Sequence, residues 1–80
     1  MNTGEAIANR IGQLCKERGI TPNGLSKISA VLQAAAKSIL NGERQNPGTV
    51  TIKKLCDGLE ITLGEFFSTP EFDELEQEIK

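Results

Sequence analysis

"TPNGLSKISAVLQAAAKSILNG", residues 21–42, is the stretch on which the fold turns. Thr21 suits a helix N-cap and Pro22 the first helical position, where a missing N–H costs nothing. That helix continues through Leu25 and Ile28 to about residue 29. A second begins near Leu32, runs through an alanine-rich segment that favours helix, and stops at Asn41-Gly42.

Only about three residues separate these two helices, so they cross steeply, as in a helix-turn-helix. The second helix is apolar at Ala36, Ile39 and Leu40. Its opposite face presents Gln33, Ala34, Lys37 and Ser38. That face is small and polar, with one positive charge. It suits the floor of a DNA major groove, which admits an α-helix if nothing bulky obstructs it.

Outward from this pair the chain reads as further short helices. Ile7, Ile11, Leu14 and Cys15 share a face of a helix over about 4–18, which Gly19 ends as a C′ residue. Residues 42–48, "GERQNPG", form a loop. A helix over about 49–59 turns Ile52, Leu55, Cys56 and Leu59 inward. "TLGE", residues 62–65, has the form of a capping box and opens a short helix carrying Phe66 and Phe67, both expected in the core. In the tail, Thr69 is expected to cap and Pro70 to start a last helix, with Phe72, Leu75 and Ile79 recurring at helical spacing. The expected fold is all-α: a compact five-helix bundle with an amphipathic C-terminal tail helix. Residues 1–67 form the domain and residues 68–80 an acidic tail.

The chain's 80 residues suffice for one small domain. No apolar run approaches the roughly 20 residues of a membrane span. The first ten residues lack the layout of a signal peptide, so a cytoplasmic protein is expected. Cys15 and Cys56 stand far apart and no His is present, which argues against a zinc site and for two buried thiols. No metal or other cofactor is expected. Without His, and with carboxylates crowding the tail, no acid–base pair or triad suggests an enzyme. Net charge is −2, but residues 1–54 hold eight basic and three acidic side chains, whereas residues 55–80 hold one and eight. The split of +5 against −7 points to a basic working surface and a separate acidic end.

From Arg10 to Phe67 the chain resembles the lambda-repressor-like (Cro/repressor-type, xenobiotic-response-element) helix-turn-helix family. The pieces that carry the likeness are "RIGQL", "GITPNGLSKISAV", "QAAAKSILNGERQNP", "TIKKLCDGLEI" and "TLGEFF", in order and without insertions. The resemblance implies that the helix of residues 32–41 is a recognition helix, with Gln33, Ala34 and Ser38 facing bases and Lys37 and Ala35 beside them. It implies phosphate contacts at Thr21, Asn41, Arg44 and Gln45. It implies double-stranded DNA as the partner and a small prokaryotic, phage or mobile-element transcriptional regulator, acting by occlusion or recruitment at a promoter.

Three positions depart from that pattern. Pro22 stands where the family often has a phosphate-binding Gln. Ala30 stands where the turn often has Gly. Leu40 stands where an acid commonly pairs with the first-helix Arg, so Arg10 is expected to lose this partner. A homodimer on DNA is expected, with Leu63, Phe66, Phe72, Leu75 and Ile79 as the candidate contact surface. The alternative is a helix-turn-helix protein-interaction module, such as an antitoxin or adaptor, whose DNA face has decayed.

Overall fold

The six helices among the described residues of the computed structural model follow the start and stop signals of the chain closely. The structure describes residues 2–42, 47–75, 77 and 79. Helix α1 spans Thr3–Arg18, α2 Pro22–Ser29, α3 Gln33–Leu40, α4 Thr49–Gly58, α5 Leu63–Phe67 and α6 Pro70–Asp73. Among the described residues there is no strand.

Local chemistry accounts for the boundaries. Asn2 caps α1 by accepting from the Glu5 N–H at 2.8 Å, and Thr21 caps α2 by accepting from the Gly24 N–H at 3.0 Å. Gly19, at φ 63°, ends α1, and the Ile20 N–H reaches back to the Cys15 carbonyl at 2.9 Å. That is the reversal a left-handed C′ residue permits. The capping box at α5 is complete. The Glu65 N–H donates to Thr62 Oγ1 at 3.0 Å, and the Thr62 N–H donates to Glu65 Oε1 at 3.2 Å.

The core gathers the inward residues of α1, α2, α3, α4 and α5: Ile11, Leu25, Ile39, Leu55, Leu59 and Phe66 are its largest fully buried aliphatic and aromatic side chains. α2 packs on both α3 and α4. The approach of α4 to the end of α2 depends on Gly58. A methyl group there would lie 2.8 Å from the Ile28 carbonyl oxygen and 3.0 Å from Ser29 Cα, closer than non-bonded atoms tolerate.

The expectation for the tail is corrected. Thr69 makes no side-chain cap hydrogen bond, and α6 ends after four residues, with Glu74 as its C-cap. Phe72, Leu75 and Ile79 therefore do not form one continuous helical stripe. Nucleating a helix is costly, and without a capping bond Pro70–Asp73 has little to extend it. Arg10 lacks an acidic partner at Leu40, as expected, and donates instead to backbone carbonyls. Its Nε donates to the Phe66 carbonyl at 2.8 Å and its Nη2 to the Glu65 carbonyl at 2.9 Å. These carbonyls lie in the last turn of α5, where a cation is favoured and orphan acceptors need donors. The same guanidinium donates to Gln13 Oε1 at 3.1 Å. Arg10 thus ties α1 to α5 through the backbone.

Candidate nucleic-acid interface

The α2–α3 pair is held at a fixed angle by its turn. Ala30 adopts φ 57°, ψ 29°, the left-handed conformation that a tight reversal needs and that glycine adopts without strain. Ser26 Oγ donates to the Val31 carbonyl across the turn, and buried Ser29 Oγ donates to the Leu25 carbonyl at 2.6 Å. Val31 is buried beyond the turn and Leu25 before it. Together these contacts seat α3 with Ala36 and Ile39 in the core.

What α3 turns outward follows from 3.6 residues per turn. Gln33, Ala34, Lys37, Ser38 and Asn41 fall within about 140° of arc around the helix. Gln33, Ala34, Lys37 and Asn41 are exposed, and Ser38 is half-buried. Ala35 is different: it is half-buried and packs against the core, so it lies off this face. The outward strip is narrow, short-chained at Ala34 and Ser38, and hydrogen-bonding at Gln33 and Asn41. Between Arg18 and Glu43 the chain carries two charges, Lys27 and Lys37, both positive. Both are exposed. No carboxylate of this segment would oppose a phosphate backbone.

Thr21 stands exposed at the start of α2. Its oxygen accepts the capping N–H, and the hydroxyl keeps its own proton to donate. Arg44 and Gln45, the other expected phosphate contacts, lie outside the described residues. Lys53 is engaged elsewhere, in an exposed ion pair with Asp57 one turn along α4.

The candidate dimer surface divides. Phe66 is fully buried, so it belongs to the core and not to the surface, a correction to the expected set. Leu63 and Phe72 are partly buried and pack on the core, Leu75 is half-buried, and Ile79 is 89% exposed. Phe67, expected inside, is 39% exposed. It makes edge contacts with Phe66 and Phe72, at ring-centroid distances of 4.8 and 5.0 Å. With two adjacent phenylalanines on a five-residue helix, only one can point inward.

Neither cysteine is exposed, and both thiols are free. Burial pushes both thiol pKa values up from 9.0, and the neighbouring Asp57 adds to the effect at Cys56. Raised values mark inert thiols, not nucleophiles.

Residues 10–71 match the model of the Cro/C1-type helix-turn-helix DNA-binding domain. The chain belongs to this family. It is 39% identical over 57 residues to the HTH-type transcriptional repressor RghR of Bacillus subtilis (strain 168), across 71% of the chain and 42% of that protein. It therefore spans about two fifths of that relative's length. Among solved structures it is similar to an HTH_3 family transcriptional regulator from Vibrio cholerae, with TM-score 0.78 and 29% identity, covering 85% of this chain and 38% of that one. It is also similar to prophage Lp1 protein 11, with TM-score 0.79 and 26% identity, covering 94% and 100%. Membership of a DNA-binding family favours the DNA reading over that of a decayed interaction module. No helix among the described residues is long and apolar enough to cross a membrane.

A further exposed residue, outside the expected set, stands at the start of α3. Leu32, at the N-cap of α3, is 80% exposed. The available signal was an apolar residue at a position that favours Ser, Thr, Asp or Asn.

Proposed function

We propose that this domain regulates transcription by laying α3 in the major groove of duplex DNA, as the DNA-contacting part of a repressor that binds as a homodimer. The observation that carries this reading is the outward strip of α3. It is slim enough for a groove, bears no carboxylate, and stands on a turn fixed by buried contacts. Gln33 is suited to pair bidentately with adenine, and Ala34 and Ser38 leave room for close approach. Thr21, Lys37, Asn41, Arg44 and Gln45 are assigned to the phosphates on either side, where they fix register without reading sequence.

One α3 offers few hydrogen bonds to bases, so two copies on a two-fold axis are the natural remedy. The contact surface between copies is assigned to Phe67, Leu63, Phe72, Leu75 and Ile79, at the acidic end of the chain. The basic segment then remains available to DNA.

Enrichment of bound sequences from a random duplex pool, at near-physiological salt, tests the proposal. A recurrent two-fold symmetric site is expected, with half-site centres about one helical turn, ~34 Å, apart. On that site Gln33→Ala should relax base preference at one position per half-site, by about 1–3 kcal/mol of discrimination. Lys37→Ala should weaken enriched and scrambled duplexes alike. Failure to enrich any sequence would remove the proposal.

A further inference from the structure

Leu32 is the one apolar N-cap among the described helices, although α4 and α6, which start at Gly48 and Thr69, also lack a side-chain cap bond. α1, α2 and α5 begin with Asn2, Thr21 and Thr62, each accepting a backbone N–H. α3 begins with a leucine that makes no side-chain cap hydrogen bond. Burial does not explain it, because the side chain is 80% exposed, while its neighbour Val31 already fills the core position beside the turn. Local structure would favour Ser, Thr, Asp or Asn at this position, and packing has no use for leucine. Residues that violate local preference without a packing reason are those where function is expected.

The position supplies the reason. Leu32 directly precedes exposed Gln33 and Ala34, at the leading end of the helix assigned to the groove. A branched apolar tip can gain nothing from phosphates or from the hydrogen-bonding edges of bases. The apolar group that base pairs display in the major groove is the C5 methyl of thymine. We infer that Leu32 is a specificity-determining residue that reads a thymine methyl group. The inference rests on the DNA reading proposed above and adds the chemistry by which the sequence is read. Gln33 supplies a hydrogen-bonded contact to adenine, and the methyl contact adds a smaller increment of discrimination.

The test uses the duplex enriched by this domain, remade with each thymine in turn replaced by deoxyuridine. That change removes one methyl group and leaves the base-pairing edge intact. For the unaltered domain, affinity should fall by about fourfold at one thymine per half-site, the worth of burying a single methyl. Leu32→Ser should bind the thymine and deoxyuridine duplexes equally at that position, and should melt no lower, because serine can cap α3. Indifference of the unaltered domain to every methyl, on a duplex it still binds, would overturn the role of Leu32 and leave DNA binding intact. A lower melting temperature for Leu32→Ser would overturn it too, by making the leucine structural. If no duplex is enriched at all, the DNA reading itself falls.

Discussion

Ala30 and Gly58 show how single residues set the position of α3. Ala30 takes the left-handed conformation at the turn, which costs an L-residue about 1 kcal/mol or more. Glycine would remove that strain but has more freedom to lose on folding, which costs about half as much in the opposite direction. Ala30→Gly should therefore raise stability by about 0.5 kcal/mol and the melting temperature by about 2–4 °C. A lower melting temperature would contradict the strain argument. Gly58 works the other way. By helix propensity alone, Gly58→Ala inside α4 should stabilise by about 1 kcal/mol. The new methyl would meet the backbone of Ile28 and Ser29, which cannot swing aside as a side chain could. Overpacking costs about 1–3 kcal/mol, so Gly58→Ala should lower stability overall, read as an earlier denaturant midpoint. The two thiols add a pH dependence. Their folded pKa values lie above the ordinary 9.0, so the stability they contribute is complete below the unfolded value and is lost as pH rises through the folded ones. Stability should decline above about pH 9, and the native thiols should resist alkylation at pH 7 until the chain unfolds.

At the scale of the elements, the chain's punctuation was legible where one residue does one local job. Thr21 with Pro22, Gly19, and the Thr62–Glu65 capping box mark ends that the structure reproduces. Periodicity likewise assigned Ile7, Ile11, Ile39, Ile52 and Leu55 to the core. What could not be read were matters decided between elements. Arg10 finds its partners some 55 positions away in sequence, in two backbone carbonyls that no side-chain pattern announces. Phe66 and Phe67 look alike in a linear reading, and only the docking of α5 sends one inward. The short reach of α6 was equally hidden, because spacing described where a helix would be amphipathic and not whether it would persist. The strip at Gln33, Ala34 and Lys37 was legible through helical geometry, whereas Leu32 was not, since its meaning lies in an exposure that only the folded turn creates. The Arg10 bridge is open to a direct test. Arg10→Ala leaves the Glu65 and Phe66 carbonyls without these donors and should cost about 1–2 kcal/mol. Arg10→Lys should recover only part, because an ammonium cannot reproduce the planar fork. Equal stability of all three proteins would show that the bridge contributes nothing.

For the molecule as a whole, charge is segregated along the chain: residues 1–54 are net positive, and residues 55–80 net negative. A net charge of −2 would by itself speak against a polyanion partner, so the DNA binding proposed above requires the basic part to dock while the acidic end stays clear. Dimerisation through α5 and the tail would achieve this separation. A Phe67→Asp variant should then lower DNA affinity while leaving the buried Phe66 core, and hence the fold, in place. Unchanged affinity would move the dimer contact elsewhere. If the domain holds duplex DNA by neutralising phosphates with cations such as Lys27 and Lys37, its affinity for the enriched duplex must depend steeply on salt concentration. Each neutralised phosphate contributes a slope of about −0.9 in log K against log salt. With about four to six phosphate contacts per dimer, binding should weaken roughly 100-fold or more between about 50 and 200 mM salt. Affinity that stays level across that range, or no binding at its low end, would contradict the claim.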